Sequence, residues 1–278
     1  DGPDNPFTYT DRTKYLFVGN DSIRAGQFEF SFPVPKDINY TDKQGLINIH
    51  AVSADKQALA HGWTDSFIVG GADIADNDSI GPSVYCYLNS PQFANGGNVN
   101  TTPYFVAEIK DENGINVSGN GIGHDLQLVI DGSMVMTYNL NDNFSYDFGS
   151  YTSGRTYYSL PELEPGEHRL LFRAWDVLNN SSVTELRFNV VKGLGPRLFD
   201  VACTQNPATT STTFVISHDR TGSTVDVEID IFDMSGRHLW RHSESGVSTD
   251  SSYTVDWDLT VGGGEKLQTG VYLYRASI

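Results

Sequence analysis

Large apolar side chains recur at every second position through much of this chain. Phe28, Phe30, Phe32 and Val34 share one face while Glu29 and Ser31 point away, which predicts a half-buried antiparallel strand ended by Pro33 and Pro35. The same period of two returns at Ile47/Ile49/Ala51, Leu126/Leu128/Ile130, Leu170/Phe172/Ala174, Leu186/Phe188/Val190, Val227/Ile229/Ile231 and Val255/Trp257/Leu259. Gly, Asn and Pro punctuate most of the intervals, and no segment carries a helical period. Short, regularly spaced strands of this kind predict an all-β fold of tandem Ig-like β-sandwich domains, two to three in number, with little or no helix.

Domain boundaries follow the turn residues. Gly70–Asp78 combines glycines with acidic residues and reads as a linker, and Lys192-Gly193-Leu194-Gly195-Pro196 makes a second break. The predicted domains are therefore 1–79, a partial sandwich whose first strands lie upstream; 80–194, a middle sandwich; and 195–278, a small terminal sandwich. A length of 278 residues suits two or three such units. The opening Asp1-Gly2-Pro3-Asp4 has no signal-peptide character, so the chain reads as a piece of a longer protein.

Charge narrows the partners. The net charge is −17, and acidic residues outnumber basic ones 12 to 6, 12 to 6 and 11 to 6 in 1–79, 80–194 and 195–278. Without a basic patch to displace counterions, nucleic acid and anionic lipid are poor ligands. No apolar run approaches the ~20 residues of a transmembrane helix.

Candidate chemistry is sparse. Cys86, in Ser83-Val84-Tyr85-Cys86-Tyr87-Leu88, shares a strand face with Val84 and Leu88 and reads as core; Cys203, before the Gln205-Asn206-Pro207 turn, reads the same way. The two cysteines fall in different predicted domains, which disfavours a disulfide. His238 and His242 continue a strand, so four-residue spacing sets them on one face at distant points and disfavours zinc. His124-Asp125 reads as a Gly-rich turn whose side chains bond local backbone rather than as a catalytic dyad. Two acidic groups, Asp73/Asp76/Asp78 and Asp111/Glu112/Asn113, hold oxygen ligands of the kind calcium takes, but neither has an EF-hand spacing. The expectation is no catalytic residue, no metal and no cofactor. Trp63, Trp175, Trp240 and Trp257 keep a carbohydrate-binding or adhesive sandwich open as an alternative, with Trp63 the best exposed candidate.

The last segment holds an ordered set of motifs. Asn206-Pro207-Ala208 presets a turn before a strand, and Asp233 to Gly236, ahead of Arg237, makes a hairpin turn after Phe232. Trp257-Asp258 follows, and Gly270 precedes the alternating Tyr272, Tyr274 and Arg275. In that order they resemble the small C-terminal β-sandwich domain of type IX secretion cargo, which is itself similar to the Ig-like domain of flagellar hook-capping proteins. Upstream, Phe28–Ile38, Gly121–Leu126, Leu163–His168 and Phe172–Asp176 resemble the region that follows the peptidase domain in PorU-type sortases of the type IX secretion system, a gingipain-like cysteine peptidase family of Bacteroidetes.

The resemblance implies a cell-surface, outer-membrane-associated parent that removes the C-terminal sorting domain from secreted cargo. Its catalytic His and Cys would lie upstream of Asp1, leaving this fragment as non-catalytic accessory and docking domains. The implied partners are an outer-membrane barrel, other components of the secretion machinery, and cargo sorting domains. In that family one more strand, bearing lysines, follows the Tyr-Arg motif. Asp21-Ser22-Ile23 and Asp78-Ser79-Ile80 further resemble the Asp-Ser/Thr-aliphatic acceptor of Bacteroidetes O-glycosylation.

Overall fold

A computed structural model describes residues 15–38, 43–71, 78–262 and 264–278. In chain order the strands are β1 Ile47–Val52, β2 Leu59–Thr64, β3 Ser83–Leu88, β4 Asn98–Val99, β5 Tyr104–Lys110, β6 Gln127–Ile130, β7 Thr137–Asn139, β8 Phe144–Tyr146 and β9 Ser153–Ser159. They continue with β10 Gly166–Trp175, β11 Ser181–Val190, β12 Leu198–Cys203, β13 Thr212–His218, β14 Thr224–Phe232, β15 His238–Val247, β16 Ser252–Trp257 and β17 Leu273–Ser277. Among the described residues the helical content is a single 3-10 turn, Asn141–Asn143. The chain is all-β.

The fold divides into two compact units, Asp1–Tyr85, Ala107–Thr156 and Leu170–Glu185 in one, Cys86–Val106, Tyr157–Arg169 and Leu186–Ile278 in the other. β1 and β2 form a two-stranded sheet of their own. β4-β11-β10-β6-β7 make a five-stranded sheet and β3-β5-β9-β8 a four-stranded one, with β4 entering parallel to β11. Alternation does the work in both: Leu128 and Ile130 of β6, Leu170 and Phe172 of β10, and Phe105, Ala107 and Ile109 of β5 are fully buried.

The terminal segment is a sandwich of two three-stranded sheets, β12-β13-β16 and β15-β14-β17. Phe214 and Ile216 of β13, Val225, Val227, Ile229 and Ile231 of β14, and Val255 and Trp257 of β16 fill its core. Leu259, expected to extend β16, lies beyond it at φ +64°, a left-handed conformation that ends the strand.

Phe28, Phe30, Phe32 and Val34 depart from expectation. They lie in no strand, and Phe28, Phe30 and Val34 are exposed. The alternation is satisfied differently: Phe28, Phe30 and Phe32 stack in a column at 6.1 Å spacings, and Phe17 stacks on Phe32 at 5.2 Å. Pro33 and Pro35 have no N–H to give a ladder. The segment is held instead by single bonds, Lys36 N donating to Val177 O and Gly149 N to Asn20 O. Most of the expected linker, 72–77, lies outside the described residues.

Candidate functional site

The densest charged constellation sits on the outer face of β14. Val225, Val227, Ile229 and Ile231 turn inward, so Asp226, Glu228 and Asp230 take the opposite face. Pairing register then sets Asp230 directly between Arg241 of β15 and Arg275 of β17. Arg241 Nε lies 2.7 Å from Asp230 Oδ1, Arg275 Nη2 2.6 Å from Oδ2, and His238 Nε2 2.7 Å from Oδ1. The Asp230 side chain is only 1% exposed while those of Arg241, Arg275 and His238 are 51%, 63% and 43% exposed. A covered carboxylate thus carries a solvent-facing rim of donors. Hydrogen bonds from Arg241 first, then Arg275 and His238, hold its carboxyl far below the usual range against a desolvation cost of opposite sign. Arg275 also lies over the Phe232 ring, 5.8 Å from its centroid.

His238 and His242 do not share a face. A register shift between Ile231 and Phe232 turns His238 toward Asp230, while His242 stacks on Trp240 at 5.7 Å and bonds Glu244.

The other signature residues have separate places. Asn206-Pro207 is a cis peptide in the turn between β12 and β13. Asp233 organises the β14–β15 turn: its carboxylate accepts from Ser235 and from Arg237 N and Nε, and Gly236 supplies φ +84°. Those bonds, led by the Ser235 hydroxyl, lower its carboxyl to about 2. Trp257 is core, 7% exposed, stacked on Trp240 at 5.1 Å, with Nε1 donating to Thr260 O. Trp240 and Trp257 also edge an open depression of about 480 Å³ with Asp256 and Asp258. Just after Gly270, Tyr272 Oη donates to Gln268 O, and Tyr274 Oη reaches across the sandwich to Val201 O of β12. Of the signature, Phe232 and Arg275 meet beside Asp230. Asp230 and Arg241 carry no sequence signal of their own, because an Asp on a polar strand face reads as solvent-exposed until both neighbours are known, and His238 stands out only for its spacing from His242.

A second constellation joins residues remote in sequence. Asp78, Asp111 and Asp176 each place a carboxylate oxygen within 4.8 Å of the others. One acid comes from each predicted cluster, and Asp176 from neither; Asp73 and Asp76 lie outside the described residues, and Glu112 is exposed. Asp176 is fully buried, accepting from Leu178 N, Asn180 N and Asn180 Nδ2. Asp111 accepts from Asn113 N and Gly114 N, yet burial and then the Asp176 and Asp78 charges raise its carboxyl. Three hard oxygens are fewer than the six to eight calcium takes.

His124 bonds not local backbone, as expected, but Asp37, its Nδ1 2.8 Å from Oδ2, and it packs on Trp175 at 4.2 Å. Asn116 Nδ2 donates to the other Asp37 oxygen, and Asp125 accepts from Asn141. Both cysteines are free. Cys86 is 6% exposed and desolvation pushes its thiol up to about 12, the reverse of nucleophile activation; burial raises Cys203 too. Trp63 is 63% exposed on β2.

No protein-family model and no curated protein matches the chain. Among solved structures, dimeric latent PorU from Porphyromonas gingivalis shares 37% identity over 88% of this chain, with a TM-score of 0.46. The chain resembles a stretch of PorU. It spans 23% of that PorU chain. A Bacteroides ovatus mixed-linkage glucan utilization protein, SGBP-B, solved with a heptasaccharide, aligns over 80% of this chain and 53% of its own at 11% identity and TM-score 0.21. The FN1–FN3 domains of chicken CNTN1 align over 66% and 56% at 10% and 0.19. Neither of the last two is close enough to bear on function. No described helix is long and apolar enough to cross a membrane.

Proposed function

We propose that this chain is the accessory and docking part of a surface sortase: the stretch of sandwiches that follows a cysteine peptidase domain and holds it at its secretion partner on the outer membrane. The observation that carries the reading is the 37% identity with PorU over 88% of this chain. The buried, high-titrating Cys86 and the carboxylate-paired His124 support assigning catalysis to another part of the parent.

Within the chain, 195–278 is the docking element, received by an outer-membrane barrel. Among the described residues β17 lies at one edge of its sheet; it carries exposed Leu273 and Tyr274, follows exposed Val271, and adjoins the Phe232/Arg275 contact. A strand edge with apolar side chains suits strand addition by a partner. Deleting 195–278 from the parent is expected to leave a peptidase-competent protein that no longer co-purifies with the barrel. Undiminished co-purification would move the docking surface elsewhere in the chain. The carbohydrate-binding alternative keeps one supporting observation, the exposure of Trp63, and a glycan array bound by the wild type and not by Trp63→Ala would favour it.

A further inference from the structure

Five of the seven histidines have at least one ring nitrogen hydrogen-bonded: His124 to Asp37, His168 to Glu164 O, His218 to both Ser248 and Arg220 N, His238 to Asp230 and His242 to Glu244. The two without a hydrogen-bond partner among the described residues are His50 and His61, and those two face each other. Register in the β1–β2 hairpin pairs them directly, between the Asn48–Trp63 and Val52–Leu59 rungs. Cross-strand partners project on one face. The imidazoles stack at 4.4 Å between centroids with planes 25° apart, and both are exposed.

Two uncommitted imidazoles at directly paired positions of neighbouring strands can share one ion once each exposed ring turns about its side-chain bonds out of the stack, because an imidazole lone pair lies in the plane of its ring. Turned so, each offers one nitrogen, and a single ion ~2.0–2.1 Å from each would bridge the strands. We propose that His50 and His61 bind one borderline transition-metal ion of the Zn²⁺ class, with water in the remaining positions. Imidazole pairs prefer Zn²⁺, Ni²⁺ and Cu²⁺ to calcium, which takes oxygen. Coordination exchanges bound water for two neutral imidazole nitrogens and involves no redox step. The ion would tie β1 to β2 at their midpoint. That matters because a two-stranded hairpin with no third strand is marginal in water, and every β2 position is exposed.

The hairpin contains its own reporter. Trp63 sits two residues from His61 on the same face, so a paramagnetic Ni²⁺ ion held by the pair quenches its fluorescence. The experiment titrates the whole chain with Ni²⁺ by fluorescence and with Zn²⁺ by calorimetry. Wild type is expected to bind with one site showing both signals. His50→Ala and His61→Ala, exposed positions whose circular dichroism should match wild type, are each expected to weaken that site at least tenfold. Trp63→Phe should keep the calorimetric affinity and lose the matching quench. Zn²⁺ affinity unchanged in either histidine variant, or no wild-type binding at millimolar ion, would overturn the assignment.

Discussion

Replacing Asp230 by asparagine leaves the shape of the β14 outer face almost unchanged and removes the charge at its centre. Three donors, from Arg241, Arg275 and His238, converge on that carboxylate at 2.6–2.7 Å. Hydrogen bonds to a charged group contribute about 1.5–3 kcal/mol each when both partners are shut from water. Here the donors' side chains are 43–63% exposed and regain water when released. Exposed pairs retain only about 0.2–1 kcal/mol. The Asp230 carboxylate should therefore contribute about 2 kcal/mol in total, well short of the sum of three buried bonds. With a urea slope of about 1–3 kcal/mol per molar, the midpoint should fall by about 1 M. Trp240 and Trp257, inside the same sandwich, report the transition by fluorescence.

The pH dependence gives the sign. Because the folded carboxyl titrates below its unfolded value of about 3.9, its contribution is fully present above that value and is lost as pH falls through the depressed one. The gap between wild type and Asp230→Asn should accordingly be present at about pH 5 and narrow as pH drops below about 4. Equal midpoints at pH 7, or a gap that fails to narrow below about pH 4, would contradict this assignment.

Other outcomes follow from the same geometry. Trp257→Ala, which empties a core position stacked on Trp240 and Phe214, should cost about 3–5 kcal/mol in the same assay. Asp111→Asn keeps the turn bonds to Asn113 and Gly114 while removing repulsion from Asp176 and Asp78. Since the Asp111 carboxyl is raised in the fold, its charged form is disfavoured at neutral pH, and the variant in chelator should be more stable by about 0.5 kcal/mol, less in high salt. Thiol reagents should label native Cys86 far more slowly than the unfolded chain, with Cys203 faster than Cys86, as followed by mass. If the acceptor resemblance holds, intact mass of the native parent should place glycan on Ser22 or Ser79, both exposed.

Strand content was legible wherever the period of two had a neighbouring strand to answer it. Ile47–Ala51, Leu170–Ala174 and Val227–Ile231 all fall in strands with their apolar residues on the more buried face. Phe28–Phe32 has the same period, yet its rings answer one another, and no local pattern separates a self-stacked column from a strand. The functional groups were harder to read for a related reason. Asp78, Asp111 and Asp176 are brought together only by tertiary structure, as are Asp37 and His124. Asp230 becomes a buried anion only because two pairings set an arginine on each side. A bulge of one residue separates His238 from His242, and strand spacing alone cannot announce a bulge.

The proposed docking surface is the outer edge of β17, which among the described residues pairs with β14 alone. Val271 and Leu273 are 72% and 51% exposed, so lysines there should leave the sandwich folded while blocking strand addition, as lysines do on natural sheet edges. Capture of the outer-membrane barrel by the full-length parent, wild type against Val271→Lys/Leu273→Lys, measures this directly. At least a tenfold loss of capture is expected, with unchanged thermal stability and unchanged peptidase activity; capture equal to wild type would place the docking surface away from β17.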